Sequence, residues 1–238
     1  MRFALCALAC VAVSCTSDES EVDPVRARFQ EQVGQLRQAL EQRPNTPMLE
    51  YQLGQLFAEH GFKDSARAAF ERSVEGYAEF PEAHLELAQM YYEESRLEEA
   101  VRSYERVVAY DPNNAPVHNN IGFIYKRLNE LERAAQAYER AIAADSTFVE
   151  SYNNLGQVYK AQDRGEQAVE LLRKAIAIRG DFAEAYINLG MIYQAEERSE
   201  AGAEIWRQFL EKFGLEQRYS TYAEERLATL EDVSLEVQ

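Results

Sequence analysis

The sequence predicts an all-α protein, an open right-handed solenoid of stacked helical hairpins, and three observations predict it. First, the same residue types return every 34 residues: Gly54, Ala88, Gly122, Gly156 and Gly190, with Leu53, Leu87, Ile121, Leu155 and Leu189 one position earlier. A fixed period of this length marks units that bury their apolar faces only by stacking on neighbours. Second, each period carries two helical faces. An aromatic follows three residues after the small residue (Phe57, Tyr91, Tyr125, Tyr159, Tyr193), one turn along the same face. Later, Ala66, Ala100, Ala134, Ala168 and Gly202 stand four residues before Phe70, Tyr104, Tyr138, Leu172 and Trp206. Third, Pro24, Pro44, Pro47, Pro81, Pro112 and Pro116 all fall at expected helix starts or turns, where proline removes no helical hydrogen bond.

These landmarks resemble those of tetratricopeptide (TPR) repeats, in five consecutive units at 47–80, 81–114, 115–148, 149–182 and 183–216. The resemblance implies a TPR superhelix of about a dozen helices. The first helix of each unit would line a concave groove in which partner segments lie. The Gly or Ala of each unit is expected to remove bulk where the second helix crosses closely.

Taken in order, the chain opens on residues 1–14, which have the form of a secretory signal. Arg2 gives a positive start, Phe3 to Val13 an apolar stretch, and Ser14 a small residue before the cut. Eleven apolar residues are too few to span a bilayer, which takes roughly 20. Ala12-Val13-Ser14-Cys15 resembles the lipobox of bacterial lipoproteins, which implies lipidation at Cys15. Cys10 is a second fit behind a shorter apolar stretch, and an ordinary signal with an incidental cysteine is the alternative. Cleavage before Cys15 removes Cys6 and Cys10, leaving no internal disulfide pair. Residues 15–23 are read as the acylated cysteine and an acidic tether, whose eight residues after Cys15 reach at most roughly 28 Å when extended. Thr16, rather than Asp, after the cysteine implies by the same resemblance the periplasmic face of the outer membrane.

Residues 24–46 are expected to form a half repeat, with Arg26 to Gln42 as one amphipathic helix. Asp23 and Thr46 are suitable N-caps for the helices that Pro24 and Pro47 begin. The fifth unit departs most from the pattern. Gly202 is expected to make room for Trp206, and Trp206 to pack on the last helix. Residues 217–238 are read as a capping helix and tail, with Tyr219, Ala223, Leu227 and Leu230 along one face.

Charge bounds the partners. The chain has 41 Asp plus Glu against 25 Lys plus Arg, a formal charge of −16, which becomes −17 if Arg2 is removed. Such a field repels phosphate backbones and anionic headgroups. Nucleic acid is therefore not expected, and membrane contact is expected through the lipid anchor alone.

Within the inferred groove, Asn120, Asn154 and Asn188 precede the Leu-Gly step in three successive units, and Asn119 and Asn153 precede two of them. A carboxamide offers both donor and acceptor, so a row of them can pair with a passing peptide backbone. The row resembles the asparagine ladder in the repeat domain of O-linked N-acetylglucosamine transferase. The other reading is that Asn is simply common at this position. Further groove positions are Tyr51, Gln55, Leu85, Gln89, Phe123, Lys126, Gln157, Lys160 and Met191. Lys126, Arg127 and Lys160 form a small basic cluster, read first as a solvated helix end paired with nearby Glu and second as a receiver of an acidic segment. The Lys/Arg and Asn pattern that clamps chaperone C-terminal carboxylates is missing.

His84 and His118 stand at equivalent positions of adjacent units, with Glu50 at the same place earlier. They lie on three successive first helices, spaced too widely to converge on a metal, and are expected to be structural. Neither a Gly-rich phosphate loop, a His-Glu-x-x-His nor a nucleophile elbow occurs. No enzymatic activity, cofactor, metal or small-molecule substrate is expected. The expected function is a membrane-anchored adaptor that binds extended or helical segments of other proteins, similar to TPR lipoproteins of secretin assembly, type IV pili and envelope biogenesis. The alternative is a regulatory subunit that docks and modulates a periplasmic enzyme.

Overall fold

The computed structural model describes residues 23–214 and 217–236. Cys15, the signal segment 1–14, the tether up to residue 22 and the side chain of Tyr219 lie outside the described residues. Twelve α-helices follow one another, with no strand among the described residues. α1 spans Pro24–Gln42. Five hairpins follow: α2 (Pro47–Glu59) with α3 (Lys63–Gly76), α4 (Pro81–Glu93) with α5 (Leu97–Tyr110), α6 (Ala115–Arg127) with α7 (Leu131–Ala144), α8 (Val149–Ala161) with α9 (Gly165–Ile178), and α10 (Ala183–Ala195) with α11 (Ser199–Phe213). α12 (Gln217–Glu236) closes the array on α11. Among the described residues no helix is long and apolar enough to cross a membrane.

Each hairpin bends by the same local device. Gly61, Ser95, Asn129, Asp163 and Glu197 have φ between 55° and 77°, the left-handed region that ends a helix. In all five hairpins the next N–H then reaches back five residues, as in Phe62 to Phe57 (2.9 Å), Arg96 to Tyr91 (2.8 Å) and Arg198 to Tyr193 (2.9 Å). That bond satisfies a carbonyl the helix end leaves open. Turns between hairpins are fastened differently. The side chains of His84, His118, Tyr152 and Tyr186 bond to the carbonyls of Ala78, Pro112, Ser146 and Gly180, each six residues earlier, at 2.9–3.2 Å. The two histidines are thus turn fasteners, and Glu50 at the equivalent position pairs with Arg72 at 2.9 Å.

The small residue of each first helix is where the second helix crosses. A Cβ added at Gly54 would lie 2.6 Å from the Phe70 ring, at Gly122 2.8 Å from Tyr138, and at Gly190 2.6 Å from Trp206. Asp23 caps α1 by accepting from the Val25 N–H at 3.0 Å. Thr46 sits at the N-cap of α2 but makes no side-chain cap; its hydroxyl donates to the Arg43 carbonyl at 2.8 Å. Of two expectations for the fifth unit, the one for Gly202 changes and the packing of Trp206 on the last helix holds. Gly202 makes room for the cap rather than for Trp206: a Cβ there would lie 2.9 Å from Leu230 of α12. Trp206, fully buried beneath Gly190, meets the cap edge-on through Tyr222 at 5.7 Å. The core also falls into two clusters that meet at α4, Leu87 belonging to one and Ala88 to the other, with Tyr91 packed on both. Within the first hairpin, Ser73 replaces the Val107 and Ala141 of later units, and its hydroxyl donates to the Pro47 carbonyl at 2.9 Å.

Candidate functional site

Among the described residues α6 touches α8 and α8 touches α10, while no two successive second helices make comparable contact. From α6 to α10 the first helices are the closer-packed row, so the array there curves with them on its inside. Positions on these helices that face away from α3, α5, α7, α9 and α11 therefore share one concave surface, and the groove residues inferred from sequence lie on these five helices.

The surface is not uniform along its length. At its N-terminal end Gln55 donates to the Tyr51 hydroxyl at 3.1 Å, and the Tyr51 ring packs on Phe70 and Phe80. Burial, with help from the charges of Glu86 and Glu82, raises the pKa of the Tyr51 hydroxyl above that of a free tyrosine. Burial likewise pushes the Glu86 carboxyl up. This end of the groove is acidic.

Between α4 and α6 the surface sinks into a hollow of about 370 Å³, lined by Gln89, Tyr92, Tyr104, Asn119, Asn120, Phe123 and Ile124. Phe123 is 37% exposed and meets Tyr92 edge-on at 6.0 Å. Asn120 donates to the Tyr104 hydroxyl at 3.4 Å, which forms part of the floor. Tyr92 and Tyr104 were not among the inferred groove residues. A signal for Tyr92 exists, because it is 34 positions before Lys126 and 68 before Lys160, both of which were.

Two cations stand at the rim of the hollow. The Lys126 ammonium lies 5.6 Å from the Phe123 ring centre and donates to Gln157 at 2.9 Å. The Arg127 guanidinium lies 5.0 Å from the Tyr92 ring centre. Burial lowers the Lys126 pKa, since it removes water from the ammonium. Among the described residues none of Lys126, Arg127 and Lys160 is in an ion pair. The reading of this cluster as paired with nearby Glu is therefore corrected. The reason is orientation: Lys126 and Arg127 lie over aromatic rings of the first helices, away from the glutamates of the second.

The asparagine row is also changed. Asn154 donates to the Asn119 carbonyl oxygen at 3.0 Å, and Asn188 to that of Asn153 at 2.7 Å. Ser151 donates to Asn119 as well, at 3.3 Å. Asn153 is buried, 5% exposed, so it is a joint between α8 and α10 and not a groove-lining group. The row links consecutive units, and only part of each amide's capacity is left for a ligand. Toward the C-terminal end Lys160 is exposed, and Met191 is 39% exposed.

Comparison with known proteins follows the same lines. Residues 88–129 and 124–163 match the family model described as TPR repeat, and residues 149–180 match one described as tetratricopeptide repeat. No curated protein matches the sequence. Solved structures do match the fold. MamA is 24% identical with a TM-score of 0.67, covering 73% of this chain and 95% of its own. YrrB, a TPR protein with an unusual peptide-binding site, is 15% identical with a TM-score of 0.67, covering 80% of this chain and 97% of its own. PilW, a widely conserved type IV pilus biogenesis factor, is 15% identical with a TM-score of 0.61, covering 83% of this chain and 92% of its own. Residues 88–180 are tetratricopeptide repeats, and the helical array that contains them is a tetratricopeptide-repeat solenoid.

Proposed function

We propose that this protein is a scaffold that binds segments of other proteins on the inner face of its solenoid, held at a membrane by lipid on Cys15. The observation that carries the binding half is the hollow between α4 and α6, where partly exposed Phe123 and Tyr92 are set among unpaired cations. A concave site lined by aromatic rings with a few polar groups among them is the usual form of a binding pocket. The peptide-binding site of YrrB and the pilus role of PilW support the same reading. They favour assembly work in the cell envelope over catalysis. The anchor rests on the Ala12-Val13-Ser14-Cys15 sequence, and Thr16 after it favours the periplasmic face of the outer membrane.

Each half has its own test. Metabolic labelling with a fatty acid is expected to mark the wild-type chain and to disappear in Cys15→Ser; label surviving that change would refute the anchor site. Affinity capture from detergent-solubilised membranes is expected to recover defined proteins with the wild type and to lose them with Phe123→Ser. Undiminished recovery by that variant would refute the groove.

A further inference from the structure

The subsite at the α4–α6 junction has a chemistry more specific than a general peptide groove. We propose that it takes an acidic segment of a partner protein, in which a large apolar side chain enters the hollow and an adjacent carboxylate meets Lys126 and Arg127. The inference rests on the groove reading above and adds to it the class of segment bound.

Size and lining set the first requirement. A hollow of about 370 Å³ is at the small end of the roughly 300–1,000 Å³ that ligand pockets occupy. Its walls are the rings of Tyr92, Tyr104 and Phe123 and the aliphatic Ile124, with amides of Gln89 and Asn120 to one side. Such a lining takes one large apolar side chain, and the amides can bond the main chain on either side of it.

Charge sets the second. Some cations of the array are matched, as Arg96 with Glu94 and Glu99, Arg133 with Glu130, Arg179 with Glu150 and Arg198 with Glu166, while others, Arg106 and Arg140 among them, are in no ion pair among the described residues. Lys126 and Arg127 are set apart by place: without an ion pair, they lie over the Phe123 and Tyr92 rings that line the hollow, in a chain whose formal charge is −16. Lys126 is also partly desolvated, with one neutral amide oxygen to bond. An arriving carboxylate would supply the missing counter-charge where water is already partly excluded, and there a charge pair counts for more than at an open surface. The opposite end of the groove carries Glu82 and Glu86 near Tyr51. A bound segment is thus oriented with its acidic part toward α6 and α8. The chain's own residues 16–23 are acidic but hold a single apolar residue, Val22, which leaves the hollow poorly filled.

The test uses the full chain and three fluorescein-labelled dodecapeptides, followed by anisotropy. One has a central Leu-Phe pair flanked by Asp and Glu, one has Lys and Arg in place of the acids, and one has two Ser in place of Leu-Phe. The first is expected to bind at least about tenfold more tightly than either other, the difference made by one good interaction of about 1.4 kcal/mol. Lys126→Gln, which can still donate to Gln157, is expected to weaken it severalfold. Lys126→Glu with Arg127→Glu is expected to reverse the preference between the acidic and basic peptides. Equal binding of those two peptides, or a preference that survives the double reversal, would overturn the proposal. So would a rise of tenfold or more on deleting residues 16–22, which would give the subsite to the chain itself. If the peptides fail while capture of native partners still depends on Phe123, the acidic-segment inference falls and the groove reading stands.

Discussion

A tyrosine, a glutamate and an arginine recur at three of the four junctions between units and show how single side chains carry the stacking. Tyr91, Tyr125 and Tyr159 donate to Glu71, Glu105 and Glu139 of the preceding second helix at 2.9, 3.4 and 2.7 Å. Arg96, Arg133 and Arg164 lie over the same rings at 4.3, 4.1 and 3.6 Å. The fourth junction keeps the arginine, with Arg198 over Tyr193 at 4.5 Å, but Arg173 stands where the glutamate should be. The Tyr193 hydroxyl is buried without a partner as a result. Arg173→Glu is expected to give it an acceptor and to raise stability by about 1 kcal/mol in a denaturant melt; a loss of stability would show that the hydroxyl does not need one. Gly190→Ala is expected to cost about 1–3 kcal/mol, because its Cβ would lie 2.6 Å from the Trp206 ring and neither helix can yield freely. Burial, followed by the bond to Glu71, pushes the Tyr91 pKa up to about 12. Because the folded pKa lies above the unfolded one, near 10, its contribution is complete below pH 10 and lost as pH rises toward 12. Melts of wild type and Tyr91→Phe should therefore differ in their alkaline limb and run parallel below pH 10.

Among the helices, what was readable in the sequence was whatever pairs locally. The glycine series announces the crossings because each glycine faces an aromatic or leucine of its own hairpin, as Gly122 faces Tyr138. Gly202 was misjudged for the opposite reason: its neighbour Leu230 comes from the cap, and the pattern within one unit says nothing of it. The left-handed turn positions were also there to be found. Gly61, Ser95, Asn129 and Asp163 are residue types that favour turns, whereas Glu197 conceals the series. Glutamate holds φ of 55° at a cost, since the left-handed region strains residues with a Cβ by roughly 1–2 kcal/mol. Glu197→Gly is expected to stabilise the last hairpin by about 0.5–1 kcal/mol, the gain left after glycine's greater freedom in the unfolded chain is subtracted. A lower melting temperature for that variant would mean Glu197 contributes more than its backbone position shows.

Across the whole molecule, stability is passed from neighbour to neighbour, and the groove belongs to the best-supported stretch. α1 has a single buried residue, Val33, whereas α6 and α8 have seven and eight. Amide exchange is expected to be fastest in α1 and slowest in α6 to α9; uniform protection would contradict that grading. The site itself was only half legible. That a groove exists, and that Phe123 and Lys126 line it, follows from the register. Whether an asparagine faces the groove or its neighbour does not, since one amide serves either purpose. The bonds join residues 35 apart, one period plus one, and only stacked helices make that offset visible. The central claim, that this inner face holds partner proteins, is most directly tested inside the cell. A photo-crosslinking residue placed at Phe123 is compared with one at Tyr110, which is 70% exposed on a second helix. Discrete crosslinked partners from position 123, lacking from position 110, are the predicted result; the same products from both positions, or none from 123, would contradict it.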